Sequence, residues 1–571
     1  MLNSTHKILS HTAKILPDKP AFITPSGTTI SYSKLDELST ALASEILNHK
    51  IYKSPILIIL PKSIEAIISF FGVLKSGNFY TIIDENMPTQ RVEKIVKKLS
   101  PALLITSKDL KINLNLKTIF IDDLSKFKID YSLLNSVKII DTDLAYTLFT
   151  SGSTGEPKGV SISHKSLLDF ILACSSDLNI SQDSIIANQA PFYFDLSVFD
   201  IYVNTFVGAT THILPSSIFA FPLKVVEYLI TNSVTTILWV PSVLVYFANS
   251  NALNGANLSL KMIISCGEMM PTKQLNYWIK SIKNAKFYNM YGPTETTLAS
   301  SYYMVDREFG DDEILPIGKA FSNTELLVFD ENMNLIIKPN LKGELYIKGS
   351  SLSSGYYNDA DKTAQAFIQN PLQSAYKELI YKTGDIVAYD KYSNLLYYGR
   401  RDSQIKLNGF RIELGEIEAA LSSHTDIHRV ACIFKNSQII AFYESQDKIE
   451  NLKEFLKSKL PEYMIPRKFI HKSNFKLNQN GKIDYTSFMA ANLRDRHLIT
   501  KDTVKTVFNR FDIDCLGYLT IKGFHKALRR TGKQISEADT EKMLKDAGFA
   551  NPDYITCEEF MTIVGDFLWC M

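Results

Sequence analysis

The chain has no cysteine pair at CxxC spacing; its six cysteines, Cys174, Cys266, Cys432, Cys515, Cys557 and Cys570, are scattered along 571 residues. That argues against a structural zinc site or a disulfide scaffold and fits a reducing compartment. Neither sign of charge is in excess, with 62 Lys and Arg against 60 Asp and Glu and a net charge of +2. No bulk electrostatic argument for nucleic acid or an anionic membrane follows. Long apolar runs are missing as well. The N-terminal MLNSTHKILSHTAKILPDKPAFI has no signal-peptide core, and the most apolar stretch, around Ile67 to Leu74, is far too short to span a bilayer. A soluble, cytoplasmic protein is expected. No repeat at a solenoid period and no low-complexity tract stands out.

What is present is ordinary globular material, 45% hydrophobic and 21% charged. The chain is too long for one core, and a prior of about 150 residues per domain suggests roughly three or four units. Up to about residue 400, short β-branched runs such as ILIIL, TTILWV and LKMIIS alternate with longer amphipathic stretches. That alternation predicts α/β layering. In PKSIEAIISFFGVLKSG, apolar residues at helical spacing predict a helix from Ile64 to Leu74 with Gly77 at its C-cap, and the strand-like FYTIID follows. The expected organisation is a large multi-sheet α/β domain over 1–400, a small α+β domain over 401–490 and a helical module over 497–571.

The segment YTLFTSGSTGEPKGVSISH, residues 146–164, concentrates glycine and hydroxyl side chains between an apolar run and a helix start. Its backbone N–H groups could turn inward as an anion-binding nest, with Ser151, Ser153, Thr154 and Lys158 adding donors. It is not a GxxxxGK[ST] loop. Read alone, it fits a flexible connector as well as a phosphate loop.

Further segments decide between the two. TSGSTGEPKG is similar to the phosphate-binding signature of the adenylate-forming superfamily, which includes acyl-CoA synthetases, luciferases and peptide-synthetase adenylation domains. The resemblance continues in order through NMYGPTETT, GELYIKGSSLSSGYYN, YKTGD, GRRDSQIKLNGFRIELGEIE, LPEYMIP and NGKID, over roughly residues 10–490. It implies ATP and Mg2+ as cofactors and attack of a carboxylate on the α-phosphorus, giving an acyl-adenylate and pyrophosphate. By motif position, Thr150, Ser151, Gly152, Ser153, Thr154, Gly155 and Lys158 would hold phosphate. Lys482 would bridge the substrate carboxylate and the phosphate, Glu295 would ligate magnesium, and Thr294 would reach the α-phosphate. Tyr291, followed by Gly292, would stack on adenine, with Asn289 reading its amino edge. Asp385 would accept from the ribose hydroxyls, supported by Tyr397 and Arg400. Asp402 would be the hinge of a mobile lid that swaps Lys482 for the KLNGFR segment, where Gly409 lets the backbone lie close to a pantetheine arm.

QAPFYFDLSVFDIY is similar to the FDxS motif of members that activate α-amino acids, whose aspartate pairs with the substrate ammonium; Asp195 matches it. An Asp in an apolar pocket calls for a cation. The remaining pocket, by motif position, would be Leu196, Phe199, Leu238, Ile264, Cys266, Met290, Leu298 and Ala299. An uncharged lining suits a small or aliphatic amino acid. FDLSV with CGE also resembles the D-alanine:carrier-protein ligases, which implies transfer to a phosphopantetheine thiol on a carrier protein supplied in trans. Two alternatives stay open: an acyl-CoA or aryl-acid ligase, and a non-catalytic scaffold.

The C-terminal VFNRFDIDCLGYLTIKGFHKALRRTG is similar to an EF-hand of the calmodulin type, with Asp512 and Asp514 at loop positions one and three, Gly517 at six and Leu519 at eight. Leu516 and Gly523 stand where positions five and twelve need oxygen ligands. A second half keeps Glu559 at position twelve but has Gly548, Ala550 and Pro552 at the earlier ligand positions. Calcium binding is not expected. The module would dock on a partner or on the enzyme, or pack Phe560, Met561, Phe567, Leu568 and Trp569 as its own core.

Overall fold

The computed structural model describes residues 4–152, 155–311, 313–402, 404–435, 437–472, 475, 508, 512, 517–530, 536–546, 551, 554–556 and 559–560. Lys482, Ser153, Thr154, Asp514, Leu516, Met561, Phe567, Leu568 and Trp569 lie outside the described residues. The chain divides into two units, Met1–Ala420 with Lys453–Ile465, and Leu421–Leu452 with Pro466–Met571.

The first unit is built on three large sheets. One has six strands, in the order Thr118–Phe120, Leu103–Thr106, Pro55–Ile59, Phe79–Ile83, Leu144–Thr150 and Lys158–Ser163. All its pairings are parallel except the last, a hairpin that carries the glycine-rich loop at its turn. Strands buried on both faces read as continuous apolar runs, and ILII at 56–59 is fully buried. The helix that crosses from it runs Ile64–Lys75; Ser63 caps it by accepting from the Ala66 N–H at 3.2 Å. Gly77, at φ +73°, ends it as the sequence predicts.

The second sheet has nine strands, in the order Lys319–Ala320, Ser301–Val305, Lys286–Tyr291, Met262–Cys266, Thr236–Trp239, Ile185–Asn188, Thr210–Ile213, Pro20–Ile23 and Thr29–Ser31. Its two faces belong to different cores. Leu238, Ile264 and Met290 join the cluster shared with Phe70, Phe170 and Tyr202, whereas Ile237, Trp239, Ile263 and Phe287 join one with Phe247 and Trp278. Strand alternation produces this split. The second core satisfies its buried indoles internally, Trp239 donating to the Ala187 carbonyl at 3.0 Å and Trp278 to the Leu244 carbonyl at 2.9 Å.

A third, antiparallel sheet of five strands includes Leu379–Tyr389 and Leu395–Arg400. After it, Gln404–Leu407 and Phe410–Glu413 form a hairpin around Asn408 and Gly409, at φ +52° and +82°, the left-handed conformation that an Asn-Gly turn adopts readily. A helix begins at Leu414.

In the second unit, Gln438–Glu444 pairs antiparallel with Arg429–Lys435 and parallel with Lys468–Lys472. Helices Ile521–Arg530 and Glu537–Asp546 follow. Although the sequence has no strand-like run here, Tyr518–Leu519 pairs antiparallel with Ile555–Thr556, placing Leu519 opposite Ile555. These are the eighth residues of the two EF-hand-like loops. Asp512 Oδ2 accepts from the Gly517 N–H at 2.8 Å, and Glu559 Oε2 accepts from the Thr556 N–H at 3.0 Å, so each loop keeps an internal carboxylate cap. The fold class read from the sequence, α/β followed by α+β and an EF-hand-like region, matches this architecture. Among the described residues, no helix is long and apolar enough to cross a membrane.

Candidate active site

The turn after Leu144–Thr150 is closed by glycine of necessity: a Cβ on Gly152 would lie 2.0 Å from the Glu156 carbonyl oxygen. Gly155 N donates back to Gly152 O at 2.9 Å, and Lys158 stands opposite Thr150 across the hairpin. Thr150 Oγ1 is buried and has no hydrogen-bond partner among the described residues, which leaves it able to donate to a ligand oxygen. Burial and the neighbouring Arg411 charge lower the Lys158 pKa, against the pull of Glu413 and Glu295.

Glu295 sits on a short turn of helix, Thr294–Thr296, directly after the strand Lys286–Tyr291, and is completely buried. Burial alone would raise its pKa. The charge of Arg411, the Tyr356 hydroxyl at 2.7 Å and Lys158 outweigh burial and hold it at about 2. It is therefore ionised at any working pH, the state a magnesium ligand needs, and one carboxylate plus substrate phosphates suits the usual magnesium arrangement. Arg411 Nη1 lies 2.7 and 3.0 Å from its two oxygens. Gly292 precedes this turn because a Cβ there would fall 2.4 Å from the Ala299 Cα. Thr297 and Leu298 both adopt positive φ, +59° and +73°, strain of about 1–3 kcal/mol each for residues with side chains. A hydrogen bond from Thr297 Oγ1 to the Ser351 carbonyl at 2.7 Å helps hold the turn.

Among the residues expected to hold the nucleotide, Asp385 Oδ2 accepts a short hydrogen bond from the Tyr291 hydroxyl, and Oδ1 accepts from Arg400 Nη1 at 2.9 Å. Arg400 also pairs with both oxygens of Asp402 at 2.7 Å, tying the residue expected as the hinge to the residue expected at the ribose. The Tyr397 ring centroid lies 6.2 Å from that of Tyr291. Asn289 is committed at both ends, with Oδ1 accepting from Ser265 Oγ at 3.1 Å and Nδ2 donating to the Pro316 carbonyl at 2.8 Å.

All eight apolar residues expected to line the substrate pocket, Leu196, Phe199, Leu238, Ile264, Cys266, Met290, Leu298 and Ala299, fall in one buried cluster. Adjacent parallel strands set it up by register, pairing Leu238 with Ile264 and Cys266 with Met290. Asp195 stands beside Leu196 of this cluster. Burial raises its pKa, while a Thr294 hydrogen bond and the Lys406 charge pull it down less strongly. Burial likewise pushes the Cys266 thiol up to about 12, so it is a neutral lining group rather than a nucleophile.

The hairpin 404–413 packs against Phe194, Glu268 and Ser151. Glu268 Oε1 accepts from the Gly409 N–H at 2.7 Å, and its Oε2 accepts from the Ser242 N–H at 2.8 Å. The Phe410 ring stacks on Tyr463 at 3.6 Å and meets Phe194 edge-on at 4.5 Å. Ser151 Oγ donates to the Arg411 carbonyl at 2.8 Å and accepts from the Glu413 N–H at 3.2 Å. Reading motifs locates this segment but misses Arg411, Glu413, Glu416, Glu268 and Arg91, whose partners lie far away in sequence. The available signal was the acidic pair Glu413 and Glu416 at a helix start, which reads equally well as dipole compensation.

Residues 9–357 match the AMP-binding enzyme family, and residues 479–531 match the EF-hand domain pair family. The chain is 35% identical over 500 residues to the D-alanine–D-alanyl carrier protein ligase of Listeria innocua, an alignment covering 83% of this chain and 96% of that protein. It is 34% identical over 487 residues to zwittermicin A synthase ZmaJ of Bacillus cereus, covering 82% of this chain and 91% of that protein. Among solved structures, IdnL1 is similar in fold, with a TM-score of 0.74 and 23% identity over 83% of this chain and 99% of its own.

Proposed function

The chain belongs to the AMP-binding enzyme family, and from that premise we propose that this adenylate-forming ligase activates a small or aliphatic amino acid with ATP and passes it to a phosphopantetheine thiol on a separate carrier protein. One observation carries the choice of substrate: the half-buried Asp195 carboxylate, its pKa raised chiefly by desolvation, stands beside Leu196 of a large apolar core that also holds the seven other uncharged side chains expected at the pocket. A desolvated carboxylate with no matching charge on its substrate would be a liability, and an α-ammonium group removes it.

In the first half-reaction, Asp195 fixes the ammonium so that the substrate carboxylate faces the α-phosphorus. Tyr291 and Asp385 hold adenine and ribose, Asn289 lies behind the adenine position, and Tyr397 and Arg400 support Asp385. Thr150, Ser151, Gly152, Gly155 and Lys158, with Ser153 and Thr154, hold the phosphates. Magnesium, when bound with ATP, supplies neutralisation of the phosphate charge, and Glu295 is the residue that would hold it. A carboxylate oxygen then attacks in line, the bond from phosphorus to pyrophosphate breaks, and Thr294 and Lys482 steady the oxygens as charge shifts. In the second half-reaction, with the 404–413 hairpin in the cleft, a thiolate attacks the acyl carbonyl and AMP leaves.

The test is ATP–pyrophosphate exchange across the proteinogenic amino acids and D-alanine, with Lys482→Ala as control. Exchange driven by one small aliphatic amino acid and lost in the variant is the expected result. Exchange only with fatty or aryl acids would overturn the role given to Asp195, and silence with every acid would favour a scaffold.

A further inference from the structure

The loop that carries Asp195 is tied at its base by three side chains that the motifs leave unassigned. Asn188 ends the strand Ile185–Asn188, and Asp200 lies twelve positions further on, in the π-helical turn Phe199–Val203; both are completely buried. Asn188 Nδ2 donates to Asp200 Oδ2 and to the Ala190 carbonyl at 3.1 Å, so one amide closes the loop on itself. Lys62, which follows the strand Pro55–Ile59 of the six-stranded sheet, donates to the Gln189 carbonyl at 3.0 Å and the Asn188 carbonyl at 3.4 Å. Burial pushes the Asp200 carboxyl up against the Asn188 hydrogen bond and the Lys62 charge, and pushes the Lys62 ammonium down against the Asp200 charge. Asp200 Oδ1 and Asn188 Oδ1 have no hydrogen-bond partner among the described residues, so the tie has little redundancy. The far side of the loop is stiff: Ser197 Oγ donates to the Phe194 carbonyl at 2.6 Å, the Val198 N–H to the Asp195 carbonyl at 2.9 Å and the Phe199 N–H to the Leu196 carbonyl at 3.2 Å. Asn188 also stands in register with Leu238, and Leu238 with Ile264, two residues expected at the pocket.

We propose that Lys62, Asn188 and Asp200 are positioning residues for Asp195: they fix the two ends of its loop, and the hydrogen-bonded turn from Asp195 to Phe199 carries that placement to the carboxylate that meets the substrate ammonium. They act through Asp195 rather than on the substrate. The charges matter as much as the geometry. Two carboxylates lie in one short segment, and Lys62 answers the charge of Asp200, which leaves Asp195 as the one committed to the substrate. A π-helical turn at the exit of the loop fits such a role, since these turns occur frequently at functional sites. Recognition of a small cation by one carboxylate depends on placement to a fraction of an ångström, and that precision has to come from the groups behind it. The inference rests on reading Asp195 as the ammonium partner.

The test measures, by titration calorimetry on the full chain, the affinity for two stable adenylate mimics: alanyl sulfamoyl-adenosine, in either hand, and propanoyl sulfamoyl-adenosine, which lacks only the ammonium group. The ratio of the two affinities reports ammonium recognition alone. The parent should bind the alanyl form more tightly. Lys62→Met combined with Asp200→Leu removes both charges and the hydrogen bond to Asn188, an exchange for apolar side chains that need not lower stability. It should shrink the preference by about tenfold or more, since a misplacement of about 1 Å can cost about a hundredfold, while affinity for the propanoyl form stays within about twofold. If the double variant melts early, Lys62→Met alone releases the Gln189 end of the loop and should move the ratio in the same direction. A folded variant whose ratio stays within about twofold of the parent, or one that loses both mimics equally as a merely structural change would, overturns the proposal. A parent with no preference for the ammonium sinks the substrate reading and this inference with it; a parent whose preference survives in the folded variants sinks the positioning role alone.

Discussion

Replacing Asp195 by Asn separates the cost of binding substrate from the cost of folding. In the free protein the carboxylate is held above its ordinary pKa, chiefly by burial, so its charge is an expense to the native state. The isosteric amide removes that expense, and the thermal midpoint should stay level or rise. With substrate bound, the amide leaves an ammonium group buried without its counter-charge, a loss of about 3–5 kcal/mol. At about 1.4 kcal/mol per factor of ten, kcat/KM for amino-acid-dependent exchange should fall by about two to three and a half orders of magnitude. The assay is ATP–pyrophosphate exchange with the preferred amino acid, run beside a melting curve. A fall of less than about fivefold would refute the pairing, since no desolvated ion pair is that weak. A lowered melting point would refute the account of burial.

The same carboxylate predicts a pH dependence. Only its ionised form pairs with ammonium, so KM for the amino acid should decrease as pH rises through the elevated Asp195 pKa, and the Asn variant should lack that limb. Lys482→Ala should slow adenylate formation by about two to three orders of magnitude yet spare transfer from preformed aminoacyl-adenylate to a carrier thiol; equal losses in both steps would count against its assignment. Gly292→Ala, whose new methyl would fall 2.4 Å from the Ala299 Cα, should destabilise the first unit by about 1–3 kcal/mol, read as an earlier denaturant midpoint. Adding or chelating calcium should leave exchange rate and melting unchanged. A calcium-dependent shift would mean that the loops capped by Asp512 and Glu559 still bind the ion.

Local pattern made much of the fold legible. Ser63, the apolar spacing after it and Gly77 specify a helix through capping and burial, all within a few neighbouring residues. Motif position proposes eight pocket residues, all of which fall within the large core of the first unit, four of them, Leu238, Ile264, Cys266 and Met290, paired by strand register. Charge pairing was not legible. Arg411 meets Glu295 across 116 positions and Arg91 meets Glu416 across 325, and no periodicity or cap records such partners. Asn289 illustrates the reverse error of emphasis: its motif suggests a hand held out to adenine, while its amide is already tied to Ser265 and Pro316. The two-residue ladder joining Leu519 to Ile555 was invisible for a simpler reason, since two residues carry no alternation to read.

The nine-stranded sheet has a consequence for how such an enzyme changes its diet. Leu238, Ile264 and Met290, proposed as pocket residues, join one core, while their chain neighbours Ile237, Ile263 and Trp239 turn to the opposite core with Trp278. The backbone between them acts as a partition. A substitution that resizes the pocket repacks one side of that partition and leaves the other side's aromatic core untouched. Substrate preference can therefore drift in small steps across three adjacent strands, at little risk to the wall that supports them.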